Sequence, residues 1–279
     1  MRADVRISVD GSRPLAETSD RFVAFTMDWH RCELEQPGVP LRNCSWHNAS
    51  VLSANLTRLL PFAKGLSPYG KTLLRIGGGP ADSAVYDVGP LPRPVLFGQG
   101  PSNSSTCPGL LCLTMARWDE INAWALAAGV RIVFGLNALS ADMAPGGKQL
   151  VRSGVPWDST NVRALLEYSK QRGFVEQGSL YGFELGNEIQ GPAHDPPPGH
   201  THRGLSAPFH AAQFAELSKI IAEVWSDAAV RPRLVGPDQN PCCLEWTEVF
   251  LSSLRSHNVT LDAFTCTHKD ILNITESRI

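Results

Sequence analysis

The sequence predicts a parallel α/β domain, a (β/α) barrel of the eight-stranded kind in which about six β/α units are visible. Short apolar runs alternate with longer segments that carry apolar residues at helical spacing, which indicates strands covered by helices. No glycine-rich phosphate-binding turn follows the first apolar run, and polar residues stand at the C-terminal ends of several different runs. These two features favour a barrel over an open doubly wound sheet.

The predicted strands are short and bounded by Gly, Pro, Asn or Asp, as buried strands are. In chain order they are residues 22–27, 72–76, 130–136, 180–185, 233–236 and 261–265. The predicted helices are residues 49–66, 115–128, 160–173, 209–227 and 245–256. Each helix lies between two strands, which is the order that a parallel sheet requires.

The length of 279 residues suits one large domain with a buried core, and we treat residues 1–279 as a single, incomplete barrel domain. Two long stretches, 89–109 and 191–208, are rich in Pro and Gly. They are either loops that shape the mouth of a cleft or poorly ordered insertions, and their composition is more typical of the second.

Charge and composition narrow the range of partners. Charged residues make up 19% of the chain and apolar residues 43%, which is typical of a globular protein that folds. A net charge of -2 without a run of Lys or Arg disfavours nucleic acid and anionic lipid as partners. No window reaches the roughly 18 apolar residues of a membrane-spanning helix, so we predict no integral membrane segment.

Two features indicate the secretory pathway. The chain has 7 Cys, and six tripeptides fit the N-glycosylation pattern, beginning at Asn43, Asn48, Asn55, Asn103, Asn258 and Asn273. Residues 1–10 contain no apolar stretch of signal-peptide length, so either a leader is missing or the protein is not exported. We expect an extracellular or secretory-pathway protein, with Asn48 and Asn55 among the occupied positions.

The segment 181–190, reading YGFELGNEIQ, carries the clearest chemical pattern. A buried strand that ends in Gly186, Asn187 and Glu188 presents an amide beside a carboxylic acid at the C-terminal edge of the sheet. Burial there can raise the pKa of the acid, which lets it protonate a leaving group, while the amide binds a hydroxyl. The alternative is that Glu188 only caps the following loop. Other strand ends carry Asp28, the segment 77–82, Asn137, Asp238 and His268.

Several longer motifs occur together with this one. They are FVAFTMD at 22–28, NCSWHNASV at 43–51, LRIGGGPADSAVYDVG at 74–89, and the segments 117–139 and 157–191. In this order they resemble the heparanase-like and β-glucuronidase family, glycoside hydrolase family seventy-nine, in its plant or algal type. The likeness runs from about residue 20 to about residue 270.

The resemblance implies a retaining glycoside hydrolase that needs no cofactor and cleaves glucuronic acid linkages in oligo- or polysaccharides. It gives Glu188 the role of proton donor and Asn187 that of a sugar contact. The pocket for the terminal acidic sugar would contain Asp28, Gly77, Gly78, Gly79 and His268.

His268 matches one histidine of the family's sixth strand. Cys266 and Lys269, however, replace the aromatic residues that usually stand beside it. The alternative is that His268 is an ordinary histidine of the barrel.

The resemblance also assigns a second carboxylate, the nucleophile, to the seventh strand of the barrel. We expect the chain as given, which ends at Ile279, to lack that strand and the family's C-terminal β-sandwich domain, and to show little or no turnover. Glu245, Glu248 and Glu276 are not assigned the role, because two lie on a predicted outer helix and one follows the sixth strand. The chain is then either a fragment of an ordinary enzyme or a non-catalytic carbohydrate-binding relative.

The substrate is expected to be a plant or algal cell-wall glycan that contains glucuronic acid. Heparan sulfate is disfavoured, because a polyanion needs a basic cleft and the Arg and Lys residues of this chain are scattered.

The cysteines show no metal-binding pattern. From the plant-type relatives we expect Cys32 with Cys44, and Cys107 with Cys112, as possible disulfides. Neighbouring Cys242 and Cys243 are not expected to bond to each other, and an odd total leaves at least one thiol unpaired within the chain. Around the loop 191–208 stand His194, His200 and His202, which belong either to a solvated loop or to a metal site, and the solvated loop is the favoured interpretation.

Overall fold

The computed structural model describes residue 12 and residues 23–29, 50–90, 112–138, 157–195 and 204–266. Its strands are β1 (Ala24–Asp28), β2 (Thr72–Gly77), β3 (Val85–Tyr86), β4 (Cys112–Leu113), β5 (Val130–Leu136), β6 (Leu180–Leu185), β7 (Arg233–Gln239) and β8 (Ala263–Cys266). Its helices are α1 (Leu56–Leu66), α2 (Met115–Ala128), α3 (Thr160–Gln171), α4 (Phe174–Gln177), α5 (Ala207–Val224) and α6 (Leu244–Ser256). Short 3-10 turns cover Gly79–Ser83 and Ala228–Val230.

Six strands form one sheet in the order β1-β2-β5-β6-β7-β8, and every neighbouring pair is parallel. The strands β3 and β4 form a separate two-stranded sheet. Because all six strands of the large sheet run in the same direction, their C-terminal ends meet at one edge. The arrangement is a curled parallel sheet covered by helices, a partial (β/α) barrel, and it confirms the predicted fold class.

The predicted boundaries agree closely with most of these elements. Strands β5 and β6 and helix α2 have the predicted bounds, and β7 runs on to Gln239. The predicted start of the first helix at residue 49 is wrong. Helix α1 begins at Leu56 because the side chain of Asn55 accepts a hydrogen bond from the backbone N–H of Arg58, which caps the helix there.

The core lies between one face of the sheet and the helices. Side chains that alternate along β2 and β5 are buried in it, among them Leu74, Ile76 and Phe134. Phe134 packs against Trp118 of α2 with ring centroids 4.6 Å apart. Because successive side chains of a strand point to opposite faces, the residues between these belong to the other, inner face of the curled sheet.

The described part of the loop 191–208 is closed at its base. The N–H of Gly191 donates to the carbonyl of Leu205 at 2.6 Å, and the N–H of Leu205 donates to the carbonyl of Ile189 at 2.7 Å. These bonds join the segment after β6 to the start of α5. Across the residues the structure describes, none of the helices has the length and apolar character needed to cross a membrane.

Candidate active site

The chain turns sharply at the C-terminal end of β6. Gly186 has a φ of 80°, and a Cβ atom there would lie 2.4 Å from Cδ1 of Ile189, so a larger residue would be strained and would displace Ile189. Glu188 also has a positive φ, 52°, which is uncommon for a residue with a side chain. Its backbone N–H donates to the carbonyl of Asp238 at 3.1 Å. This turn brings Asn187 and Glu188, both half-buried, to the C-terminal edge of the sheet.

Asn187 is held at two points. Its side-chain Oδ1 accepts a hydrogen bond from Nη2 of Arg75 at 3.1 Å. Its backbone N–H donates to Oδ2 of Asp82 at 3.0 Å. Since the carboxamide oxygen is engaged by Arg75, the carboxamide NH₂ is the part of Asn187 that can serve as donor to a ligand hydroxyl.

Arg75, on the inner face of β2, connects three strands. Its Nε lies 2.5 Å from Oε2 of Glu184 on β6, and its Nη2 lies 2.7 Å from Oδ2 of Asp238 on β7. Burial lowers the pKa of the Arg75 guanidinium, but the carboxylates of Glu184 and Asp238 outweigh this effect and the pKa is raised overall. The guanidinium is therefore a permanent positive charge at the centre of the site.

Thr265 on β8 completes this network. Its hydroxyl donates to Oε1 of Glu184 at 2.6 Å, and its oxygen accepts the backbone N–H of Asp238 at 2.9 Å. Both carboxylate oxygens of Glu184 are thus hydrogen-bonded. Burial nevertheless raises the pKa of Glu184, assisted by the charge of Asp238 and opposed by Arg75.

Asp28 at the end of β1 lies beside the glycine-rich turn after β2. Its Oδ1 accepts the N–H of Trp29 at 2.6 Å. Gly78 has a φ of 110°, and a Cβ atom there would lie 2.4 Å from Oδ1 of Asp28, so the carboxylate occupies the space that a side chain would need. A Cβ at Gly77 would likewise lie 2.7 Å from Cζ of Arg75, whereas Gly79 is exposed and has open space at that point.

Asn137 has a different role from the other polar residues at strand ends. Its Nδ2 donates to the carbonyl of Ala84 at 2.9 Å, and its backbone N–H donates to the hydroxyl of Tyr86 at 3.1 Å. Its carbonyl accepts from Nε1 of Trp157 at 3.0 Å. These contacts anchor the segment after β2 to the end of β5.

Other predicted residues stand as follows. Twelve of the residues that the sequence singled out lie outside the described residues. They are Cys32, Asn43, Cys44, Asn48, Asn103, Cys107, His200, His202, His268, Lys269, Asn273 and Glu276. Cys112 is disulfide-bonded, to a cysteine that is also outside them. Cys242 bonds to Cys266, a pair that the sequence did not indicate, and Cys243 is a free, exposed thiol.

Two sets of residues lie away from this network. The exposed side chains of Glu245 and Glu248 belong to the outer helix α6, as expected. His194 is exposed, and its Nε2 is 4.0 Å from Oε1 of Glu245. Within the described ranges, no group of three or more His, Cys, Asp or Glu residues could hold a metal ion.

Sequence reasoning missed Arg75, Glu184 and Thr265. The signal for the first two was present, because a charged residue interrupts each of the apolar strands LLRIG and FELG. A charge in such a strand belongs to the face opposite the apolar core. Thr265 carries no such signal, because threonine is ordinary in strands.

The comparisons with known proteins agree on one family. The family described as "Glycosyl hydrolase family 79, N-terminal domain" matches residues 4–274. "Heparanase-like protein 2" of Arabidopsis thaliana is 30% identical over 237 residues, which cover 82% of this chain and 39% of that protein. "Heparanase-like protein 1" of the same plant is 31% identical over 235 residues, which cover 83% and 39%.

A further relative carries a more specific name. "Baicalin-beta-D-glucuronidase" of Scutellaria baicalensis is 28% identical over 251 residues, which cover 85% of this chain and 44% of that protein. The chain therefore spans about two fifths of the length of the curated relatives it matches.

Proposed function

The chain belongs to glycosyl hydrolase family 79, and on that premise we propose that the whole protein hydrolyses glucuronic acid linkages in oligo- or polysaccharides with retention of configuration. The observation that carries the proposal is the Asn187–Glu188 pair at the C-terminal edge of the sheet, joined by hydrogen bonds to Arg75, Asp82 and Asp238. This edge is where enzymes built on such barrels keep their catalytic residues.

Glu188 is the general acid of this mechanism. It protonates the leaving oxygen in the first step and deprotonates water in the second. Glu184 and Asp238 are poorer choices for the role, because both are buried and Arg75 already binds both carboxylates. We therefore assign proton transfer to Glu188, and we assign Arg75 and its two carboxylate partners to the floor of the site.

Retention needs a second carboxylate roughly 5 to 5.5 Å from the first, which attacks the sugar and forms a covalent intermediate. The family resemblance assigns this nucleophile to the strand that follows the sixth strand of the barrel. That position lies outside the described residues, whose large sheet reaches as far as β8. The proposed mechanism thus belongs to the whole protein.

The glucuronic acid residue is bound by Asn187, Asp28, Gly77, Gly78, Gly79 and His268 in this proposal. The close approach of Asp28 to Gly78 supports a shared pocket. The carboxylate of Asp28 lies directly beside the backbone of Gly78, which carries no side chain to separate them. The glucuronidase named among the relatives supports the choice of sugar. The net charge of -2 disfavours a polysulfated substrate.

Export to an oxidising compartment is a further part of the proposal. Cys242 and Cys266 form a disulfide, and Cys112 forms another with a cysteine outside the described residues. Disulfides persist in secreted proteins and are rare in the cytosol, so these bonds support an extracellular or secretory location.

The test compares the whole protein with its Glu188→Gln variant on two β-glucuronides, one with an alkyl leaving group and one with an aryl leaving group. Loss of the acid should lower kcat/KM for the alkyl glucuronide by about 10²- to 10⁴-fold and for the aryl glucuronide by much less, because a good leaving group needs little protonation. Glu248→Gln, on the exposed face of α6, is the matched control and should behave as the parent.

Equal losses on both substrates would argue against the acid role of Glu188. Hydrolysis of the matching β-glucosides at the same rate would argue against glucuronic acid as the preferred sugar. Binding of glucuronides without turnover by a folded whole protein would favour a non-catalytic carbohydrate-binding relative instead.

A further inference from the structure

Asp82 is a buried acid that the proposed mechanism does not use. It lies in the 3-10 turn Gly79–Ser83 after β2, and it is 1% exposed. No salt bridge within the described ranges includes its carboxyl group. Burial of a carboxyl group without a directly bound cation is costly, which indicates that another interaction of Asp82 offsets this cost.

The contacts of Asp82 are with backbone rather than with side chains. Oδ2 accepts the N–H of Asn187 at 3.0 Å, and the backbone of Ala138 interacts favourably with the ionised form of the same carboxyl group. Ala138 and Asn187 each follow the end of a strand, β5 and β6 respectively. One carboxyl group therefore joins the segments that follow three neighbouring strands, β2, β5 and β6.

The other oxygen of the same carboxyl group has no hydrogen-bond partner. Oδ1 of Asp82 is buried and unsatisfied among the described residues. A group serving only to fill the core would be replaced at lower cost by an apolar side chain of similar size. The hydrogen bond from the Asn187 N–H is thus the feature of Asp82 that an apolar residue could not supply.

The backbone that Asp82 holds is strained. Glu188 has a φ of 52°, and a residue with a side chain keeps such a conformation only where its surroundings impose it. Two consecutive N–H groups are restrained, that of Asn187 by Asp82 and that of Glu188 by the carbonyl of Asp238. Loss of either contact would let the turn relax toward ordinary φ values.

We propose that Asp82 is the positioning residue of the Asn187–Glu188 pair, holding the turn after β6 in its left-handed conformation by accepting the Asn187 N–H. The inference rests on the proposed function for its catalytic meaning, but the contact itself does not depend on that function. Asp82 acts through the backbone of Asn187 and does not touch the substrate.

Two substitutions separate positioning from simple space filling. Asp82→Asn keeps an oxygen that can accept the Asn187 N–H, whereas Asp82→Leu has the same branched arrangement of heavy atoms, in a larger side chain, and no acceptor. Asp227, which accepts the N–H of Ala229 at 2.9 Å at the start of an exposed 3-10 turn, provides the matched controls Asp227→Asn and Asp227→Leu.

The first measurement is the amide resonance of Asn187 in the chain labelled with ¹⁵N-asparagine, assigned by its loss in Asn187→Gln. As a donor to a carboxyl group, this proton should lie downfield. It should move upfield in Asp82→Leu, move less in Asp82→Asn, and stay in place in both Asp227 variants. An unchanged Asn187 resonance in folded Asp82→Leu would overturn the proposal.

A pH titration keeps the test valid if Asp82→Leu does not fold. Burial raises the pKa of Asp82 well above its usual value, and the two amides lower it; Asp238, Arg75 and Tyr86 are the other ionisable groups that interact with it. The chemical shift of the Asn187 amide should therefore change with a midpoint above the usual carboxyl pKa, which is about 3.9. This transition should vanish in Asp82→Asn. Its persistence in that variant would also overturn the proposal.

The second measurement is turnover of a β-glucuronide by the whole protein. Asp82→Leu should lower kcat by about 10- to 100-fold per folded molecule with a smaller change in KM, and Asp82→Asn should restore most of it. A parental kcat in folded Asp82→Leu would refute positioning. If the parent shows no turnover, the proposed function fails, while the amide resonance still decides the role of Asp82.

Discussion

Arg75 shows how single residues organise this molecule. Its guanidinium contacts Glu184, Asp238 and Asn187, which come from or follow two different strands. Glu184 is completely buried, so its charge depends on this partner and on Thr265. The fork-shaped guanidinium can meet several acceptors at once, which an ammonium group cannot do.

Removal of Arg75 should therefore destabilise the protein strongly. Arg75→Met leaves the Glu184 carboxylate buried without its cation and should lower the free energy of unfolding by about 3–5 kcal/mol in urea denaturation. Arg75→Lys should recover only part of this loss. The control Arg163→Met removes an exposed pair with Glu223 and should cost less than about 1 kcal/mol. Equal effects at Arg75 and Arg163 would contradict a central role for the network.

His210 makes a second prediction at the residue scale. It is buried among Phe214, Trp246 and Phe250, and Nε2 contacts the carbonyl of Leu185 at 3.1 Å. Burial lowers the pKa of His210 from 6.5 to about 4, against the opposing effect of the carbonyl. Between these pH values the unfolded chain binds more protons than the folded chain, so stability falls as the pH falls.

The contribution of His210 should reach about 3 kcal/mol between pH 6.5 and pH 4. The variant His210→Gln retains a donor toward Leu185 and does not titrate, so this part of the pH dependence should disappear from its unfolding curves. His257→Gln, at an exposed position, should retain the parental dependence. Identical pH dependence in parent and His210→Gln would show that another group is responsible.

At the scale of elements, local sequence signals account for the helix boundaries. Thr114 caps α2 by accepting the N–H of Arg117 at 3.2 Å, and Gly129 ends the helix with a φ of 69°. The predicted and observed bounds of α2 agree because both signals are local. The first predicted helix was too long because residues 50–55 form turns and the cap lies at Asn55.

The caps make a direct prediction. Thr114→Ala should lower the free energy of unfolding by about 1 kcal/mol, because the N–H of Arg117 loses its acceptor. Ser159→Ala is the matched control, since Ser159 precedes α3 and makes no capping hydrogen bond. Thermal or urea unfolding of both variants measures the difference. A loss at Ser159 as large as that at Thr114 would show that the cap is not the cause.

At the scale of the whole molecule, glycosylation tests the compartment. Of the six predicted positions, Asn55 and Asn258 fall within the described residues, and both are exposed. Their amide nitrogens are therefore accessible to the transferase. Asn55 also caps α1 through its oxygen, so replacing this residue would disturb the helix as well as the glycan site.

Secretion from a eukaryotic host with a supplied leader should yield a product that loses mass on enzymatic deglycosylation. Thr57→Ala and Thr260→Ala remove the sites at Asn55 and Asn258 without touching the asparagines, and each should remove one glycan from the intact mass. Ser53→Ala, outside any acceptor tripeptide, is the control. An unchanged mass after deglycosylation of the parent would argue for an intracellular protein.

The sequence by itself determined the fold class, most element bounds and the family, because these depend on local periodicity, caps and motifs in order along the chain. It also identified Asn187 and Glu188 as candidates, and their catalytic roles remain proposals. Only the tertiary structure decided which polar residues meet. Arg75 and Glu184 are far apart in the chain and meet because of the order and register of the strands in the sheet. Asp82 accepts a hydrogen bond from the backbone amide of Asn187, and no sequence pattern marks such a contact.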